Sequence, residues 1–258
     1  MENQPYEAPR LSIALPHHRV ILTYVILAVI VGIFLIQMAY NQLEFPRREP
    51  ITAWGMINYT RVVYDGEWYR LFTAMFLHAN EVHLLFNGLA LWSFGRSIET
   101  LFGTPRFALI YFLGGLTGSL ASLLLTRGFS VGASGAIFAI FGAEMIFLFA
   151  NRKLLGEQAQ QEFRNLVGLA ALNFGFGILS SFSNGGVRID NWAHIGGFIG
   201  GVVLTWFVGA RYRVSIDPIG MSRVQVSDEH HLGKSWWAAA VYAVVLLAAA
   251  VIALNSLR

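Results

Sequence analysis

Seven segments of the 258-residue chain are apolar over about the length that crosses a lipid bilayer, and this pattern limits the fold more than any other feature. A spanning helix needs about 20 mainly apolar residues, because its backbone polar groups must be satisfied within the segment. The segments are 20–39, 82–102, 106–126, 132–150, 164–182, 192–210 and 235–256. Only 13% of the residues are charged, against about 25% in soluble domains. We predict an all-α polytopic membrane protein with six core helices and one further C-terminal transmembrane helix.

The polar stretches divide the chain into four parts. We expect an N-terminal segment over 1–19, a six-helix core over 20–210, a linker over 211–234 and a seventh transmembrane helix over 235–258. Within the core, residues 40–81 are too polar to span and mix charges with aromatic residues, which is typical of a structured loop at the membrane interface. With the N-terminus inside, the inner loops hold 11 Lys and Arg residues and the outer loops 7. This imbalance predicts a cytoplasmic N-terminus and an outer C-terminus.

Composition also limits the chemistry. The absence of cysteine excludes disulfides, thiolate metal sites and a cysteine nucleophile. The sequence has no basic cluster interleaved with aromatic residues, which would be typical of nucleic-acid binding. It also has no apparent internal repeat, which would be typical of a transporter. The mixed charges of the first nineteen residues predict an uncleaved first span rather than a signal peptide. We expect no cofactor, and the motifs carry no information about oligomeric state.

Ser134 and His194 lie near the starts of the fourth and sixth apolar segments. Nucleophilic and ionisable groups are expensive at membrane depth and are usually there for function. If the second, fourth and sixth helices run in the same direction, Asn87 lies at a similar depth, with His83 one turn higher on the same face. The sequence therefore predicts one polar plane built from three parallel helices.

A hydroxyl beside an imidazole suggests a nucleophile, Ser134, and its base, His194. The free N–H groups at the helix start, with His83 and Asn87, would donate to an oxyanion. Phe138 lies four residues after the serine, on the same helical face, where its ring would stack on the histidine.

Each residue also has a simpler interpretation. Ser134, between Gly132 and Gly135, would suit close helix packing or an N-cap. His194 would suit a hydrogen bond inside the bundle, and Phe138 a lipid or core contact. Asp190, four residues before the histidine, is either a third member of a triad or the N-cap of its helix.

A metal site is the competing idea for the second segment. His78, Glu81 and His83 lie close together in sequence, but a good third ligand is lacking at that depth. We therefore predict no metal.

Four motifs resemble those of the rhomboid intramembrane serine proteases, in the right order over about residues 50–210. They are Trp68-Tyr69-Arg70 in the first loop, His78…His83…Asn87 at the second segment, Gly132-Ala133-Ser134-Gly135 at the fourth, and Ala193-His194-Ile195-Gly196-Gly197-Phe198-Ile199-Gly200 in the sixth. Tyr69 stands where the family often has tryptophan. The seventh span is similar to the six-plus-one arrangement of many bacterial members.

The resemblance implies a Ser134–His194 dyad that needs no carboxylate, and an oxyanion hole from His83, Asn87 and the Ser134 amide. His78, Tyr69 and Arg70 would support the first loop. The resemblance further implies that the substrates are transmembrane segments of other membrane proteins, which enter laterally from the bilayer, and that this bilayer is a bacterial plasma membrane. The alternative is a catalytically silent rhomboid-like chaperone that binds client helices. Such relatives lack the serine or the histidine, whereas both are present here.

Overall fold

The computed structural model describes residues 15–43, 50–181, 189–216 and 224–257. Residues 1–14 of the predicted N-terminal segment, 44–49 of the predicted interfacial loop and 217–223 of the predicted linker lie outside this part of the chain. The long helices follow the apolar segments closely. The helices are α1 (Leu22–Leu43), α2 (Pro50–Gly55), α3 (Tyr59–Val63), α4 (Arg70–Thr73), α5 (Glu81–Ala90), α6 (Arg96–Phe102), α7 (Thr104–Leu125), α8 (Ser134–Ala150), α9 (Arg152–Ser181), α10 (Asn191–Val208) and α11 (Leu232–Leu257).

Five described helices, α1, α7, α9, α10 and α11, are long and apolar enough to cross a membrane, and α8 is a shorter apolar helix. The second predicted segment is helical from residue 81 to 102 but consists of α5, a π turn over Leu91–Gly95 and α6. Helix α9 contains a non-helical residue at Gly156, so only its later part is a continuous helix. The predicted all-α polytopic membrane fold is confirmed.

Helix α10 is the centre of the bundle, because small residues let its backbone touch α7 and α8. A Cβ added to Gly201 would lie 1.9 Å from the Ala139 carbonyl oxygen of α8. On the other side, a Cβ on Gly118 of α7 would lie 2.6 Å from the Ala193 carbonyl oxygen. Small residues at such contacts are how membrane helices gain van der Waals packing without a hydrophobic driving force. The histidine helix is therefore held between its two neighbours.

Residues 50–81 form a folded segment rather than an open loop. It contains α2, α3, α4 and a 3₁₀ turn over Ala74–Phe76. Its short strand β1 (Ile57–Asn58) pairs antiparallel with β2 (Phe129–Ser130), which precedes α8. The end of α11 packs here too, with Leu254 buried in a cluster that includes Val62 and Leu71. We call this side of the bundle, where α8 begins, the serine side.

The opposite side has a β-hairpin that the sequence patterns did not predict. Strands β3 (Tyr212–Ile216) and β4 (Val224–Asp228) pair antiparallel within the expected linker. Arg106 of α7 forms a largely buried ion pair with Asp228, at 2.7 Å. The side chain of Asn151 accepts from the Tyr212 amide and donates to the Ala210 carbonyl. These contacts attach the hairpin to the core, and we call this the hairpin side.

Candidate active site

Ser134 is the first residue of α8 and follows an irregular turn. Gly132 has a φ of +127°, a conformation that side chains rarely adopt, and its amide donates to the Ala74 carbonyl. No side chain caps the helix at Ala133, so the first N–H groups of α8 have no side-chain acceptor. The 17 residues of α8 span about 25 Å, less than the roughly 30 Å hydrocarbon core. The serine therefore lies below the membrane surface.

His194 is buried, with 7% of its surface exposed, on the first turn of α10. Its ring stacks on Phe138, with centroids 4.2 Å apart and planes at 14°. Phe138 lies one turn after Ser134 on α8, so the stack holds the imidazole against the serine helix. The backbones of α10 and α8 are also in close contact here, since a Cβ on Gly197 would lie 1.9 Å from the Gly135 carbonyl oxygen.

No hydrogen bond joins the Ser134 hydroxyl to the His194 ring among the described residues. Nδ1 of His194 is buried and has no partner. In ligand-free sites, catalytic hydrogen bonds are often long and tighten only when substrate binds. A cavity of about 10 Å³, enough for about one water molecule, lies beside Ser134 and Ala193.

His83 and Asn87 of α5 both face the turn before the serine. A Cβ on Gly132 would lie 2.7 Å from Nε2 of His83 and 3.4 Å from Nδ2 of Asn87. Nδ1 of His83 accepts from the Ala79 amide at 3.5 Å, a contact that favours the tautomer with its proton on Nε2. Asn87 is buried, and its Nδ2 has no partner. A buried amide donor without a protein acceptor is uncommon, which makes Asn87 a candidate for binding a ligand.

His78 lies in the loop before α5 and packs against that helix. It is 1% exposed, and its ring lies edge-on to His83 with centroids 5.1 Å apart. Its backbone is tied to α1, because Gln37 donates to the His78 carbonyl and accepts from the His78 amide. The loop before α5 is thus fixed to the first spanning helix.

Asp190 acts as the N-cap of α10. Its carboxylate accepts from the Ala193 amide at 3.1 Å and from the hydroxyl groups of Ser122 and Thr126 on α7. None of these contacts involves the His194 ring. Of the two interpretations of Asp190, the cap agrees with the geometry.

Tyr69 and Arg70 anchor the interfacial segment. Arg70 is 4% exposed, pairs with Glu67 and donates to the carbonyl groups of Ala53 and Met56. Tyr69 stacks on Trp54, with centroids 4.9 Å apart. The guanidinium thus joins α2 to α4 through backbone acceptors, a role that needs its several donors in one plane.

Two polar residues inside apolar segments were missed by the sequence interpretation. Gln37 makes the tie to His78 described above, and Glu99 is fully buried. The Glu99 carboxylate accepts from the amides of Ile21, Leu22 and Thr23, and so satisfies the start of α1. The sequence does contain a signal for both residues, because a lone polar residue within an apolar span usually has a specific partner.

The site therefore combines the hydroxyl of Ser134, the imidazole of His194 stacked beside the serine helix, and two side-chain donors that converge on the adjoining turn. Chemically, this arrangement suits acyl transfer, since donors aimed at a developing oxyanion act strongly where water is scarce. The fold and the site together define a multi-pass membrane protein with a cluster of polar side chains near the start of α8.

Comparison with known proteins identifies the family within this class. The Rhomboid domain model matches residues 65–211, which include every motif of the site, and the chain belongs to the rhomboid family. The chain is 41% identical to the rhomboid protease GluP of Bacillus subtilis over 153 residues, which are 59% of this chain and 28% of GluP.

Two further relatives match this chain over 180 and 150 residues. The chain is 37% identical to RHOMBOID-like protein 1 of Arabidopsis thaliana over 180 residues, which are 69% of this chain and 44% of that protein. It is 35% identical to the putative rhomboid protease YdcA of Bacillus subtilis over 150 residues, which are 57% of this chain and 71% of YdcA. The chain thus spans less than half of GluP and of RHOMBOID-like protein 1.

Proposed function

We propose that this protein is an intramembrane serine endopeptidase that cleaves transmembrane segments of other membrane proteins. The observation that supports it most directly is the convergence of three helices on one turn: His194 stacks beside the serine helix, while His83 and Asn87 point to Gly132. The relatives named as proteases support the same activity.

In the proposed mechanism, a substrate segment enters from the bilayer and unwinds at the polar plane. Ser134 Oγ attacks the carbonyl carbon while His194 takes the hydroxyl proton. His83, Asn87 and the Ser134 amide donate to the oxyanion. The tetrahedral intermediate collapses, the histidine gives its proton to the leaving amine, and an acyl-enzyme remains. Water then attacks this ester, again with His194 as base, and releases the acid product.

We further propose that residues with small side chains occupy the cleaved position. Gly132 and Gly135 flank the serine, and the cavity beside it has a volume of only about 10 Å³. A substrate series with Ala, Leu and Trp at the cleaved position tests this. Equal cleavage of the Ala and Trp substrates would contradict it.

The orientation is also a proposal. The excess of Lys and Arg in the predicted inner loops, 11 against 7, supports a cytoplasmic N-terminus and an outer active site. Reaction of a cysteine introduced at Ser256 with an impermeant maleimide in intact cells tests it, since the chain has no cysteine of its own. Labelling only after cell lysis would reverse the orientation.

The activity itself is tested with the purified full chain in detergent and a model single-span substrate. Ser134→Ala should abolish cleavage and labelling by a fluorophosphonate probe. Ser256→Ala is the matched control, because its exposed hydroxyl bonds only to the Ala253 carbonyl at the end of α11. Cleavage that survives in Ser134→Ala would exclude the nucleophile, and an inactive wild-type chain that still binds the substrate would favour a chaperone.

The oxyanion donors are tested separately by steady-state kinetics. Asn87→Ala should lower kcat by about 10²-fold or more, the usual cost of losing one such donor. Asn173→Ala is the control, since that exposed amide bonds only to the Leu169 carbonyl of its own helix. An unchanged kcat in Asn87→Ala would remove the residue from the mechanism.

A further inference from the structure

A cleft of about 380 Å³ opens on the hairpin side, far from the proposed active site. It lies where α1, α7 and α11 begin, and the 22 residues of α7 place about 33 Å between this end and the serine side. Its lining combines basic and apolar groups. The lining residues are His18, Arg19, Ile21, Phe102, Gly103, Thr104, Pro105, Arg106 and Leu232.

The cleft lies at the depth of lipid head groups, because three spanning helices start around it. Trp236 and Trp237, near the start of α11, are 62% and 55% exposed. Tryptophan on the lipid-facing surface concentrates at the membrane–water interface, where its ring is amphipathic. Ile21, at the edge of the cleft, is 56% exposed and apolar. A ligand in this cleft would therefore meet water at one end and acyl chains at the other.

The charge of the cleft is positive. Arg19 is exposed and has no ion pair among the described residues. Arg106 is buried and donates to Asp228 and to the His230 carbonyl, which leaves its buried Nε without a partner. The nearby carboxylates are already engaged, since Asp228 pairs with Arg106 and Glu99 accepts from the start of α1. Arg19 is therefore an uncompensated cation at the cleft, and Arg106, whose charge is paired with Asp228, lines its inner wall.

The start of α7 adds backbone donors. No side chain caps this helix at Gly103, and Pro105 occupies the first turn. The first N–H groups of a helix lack internal partners and have partial positive charge, which favours a phosphate. Pro105 has no N–H and the Phe107 amide donates to the Gly103 carbonyl, so the donors of this first turn are the amides of Thr104 and Arg106.

We propose that this cleft binds an anionic phospholipid, with the phosphate between Arg19 and the start of α7 and the acyl chains along the apolar edge at Ile21. Basic clefts between spanning helices at head-group depth suit anionic lipids, and one arginine near an anionic surface contributes about fivefold in affinity. The apolar edge favours a lipid over free phosphate.

Native mass spectrometry of the purified full chain measures the binding directly and does not depend on proteolysis. Phosphatidylglycerol should bind more tightly than phosphatidylcholine with the same acyl chains. Arg19→Gln should weaken phosphatidylglycerol binding about fivefold and leave phosphatidylcholine unchanged. Arg152→Gln is the matched control, because Arg152 is exposed on the same side, where it donates to the Phe149 carbonyl.

Four results would overturn the proposal. Equal affinity for the two lipids would exclude recognition of the head-group charge. Equal losses in Arg19→Gln and Arg152→Gln, or no loss in Arg19→Gln, would mean that the cleft is not the site. Displacement of the lipid by millimolar inorganic phosphate would show a site for the free anion instead.

Discussion

Replacing Gly197 by alanine tests whether the spacing between the serine and histidine helices controls activity. The new Cβ would lie 1.9 Å from the Gly135 carbonyl oxygen, whereas real Cβ atoms essentially never approach closer than 3.0 Å. The obstacle is backbone, so a side-chain rotation cannot relieve it. The helices α8 and α10 must therefore separate by at least 1.1 Å, the difference between 3.0 Å and 1.9 Å.

This displacement acts directly on the proposed dyad. Gly197 lies one turn after His194, and Gly135 follows Ser134, so the separation increases the distance between the two side chains. A misplacement of about 1 Å can cost about 10²-fold in rate. We expect Gly197→Ala to lower kcat by about that factor, measured by cleavage of a model substrate and by the rate of fluorophosphonate labelling.

Gly168→Ala is the matched control, because a Cβ at Gly168 of α9 meets nothing within 4 Å. That variant should keep wild-type activity and, from helix propensity alone, gain up to about 1 kcal/mol in stability. Thermal unfolding of both variants separates loss of folding from loss of geometry. Full activity in a folded Gly197→Ala protein would refute the argument that backbone contact sets the dyad.

Three further predictions concern the supports of the bundle. Glu99→Gln should lower the free energy of unfolding by about 2 kcal/mol in a thermal or denaturant assay, because its amide group turns a donor toward N–H groups that need an acceptor; an unchanged midpoint would contradict this. Burial raises the pKa of Asp228, but the amides of His230 and Arg211 and the Arg106 guanidinium outweigh it and hold that pKa below its ordinary value of 3.8. Hairpin docking that depends on this carboxylate should therefore be complete above about pH 4 and lost as pH falls through the lowered pKa, as measured by hydrogen exchange; Asp228→Asn should remove this pH dependence, and its persistence would point to another group. Tyr242→Phe removes the 2.7 Å hydroxyl contact of α11 with Thr117 and should cost about 0.6 kcal/mol of stability, whereas a much larger loss in the unfolding assay would mean that the ring has moved.

The spanning helices were predictable because lipid leaves the backbone few choices. An apolar segment of about 20 residues must be a helix, and the bounds of α7 and α10 differ from the predicted segments by about two residues. The break of the second segment at Leu91–Gly95 was not predictable, since a π turn has no pattern of apolar residues that distinguishes it from a regular helix.

The hairpin of β3 and β4 shows a different limit. Its strands have five residues each and alternate apolar with polar residues, which is at the short end of the length over which alternation indicates a strand. Its position depends on Arg106 and Asp228, which are 122 residues apart in the chain. Contacts of this range follow from the tertiary fold and not from a local pattern.

The candidate site was predictable where spacing on one helix decides the contact. Phe138 follows Ser134 by four residues, and His83 precedes Asn87 by four, so each pair was expected on one face. The stack of Phe138 on His194 and the approach of His83 to Gly132 agree with those expectations. The tie between Gln37 and His78 was not predicted, because it joins two segments whose relative position the sequence does not specify.

The π turn divides the second span into two helices, α5 and α6, that differ in what they contact. Below it, α6 is fastened to the first span by Glu99, whose carboxylate cannot leave the amides at the start of α1 without exposing them to lipid. Above it, α5 contains His83 and Asn87, and several of its apolar side chains face outward. The regular hydrogen-bond ladder between the two parts is interrupted at Leu91–Gly95, and π turns of this kind are common sites of helix kinks. The π turn thus separates the half of the second span that is tied to α1 from the half that contains His83 and Asn87.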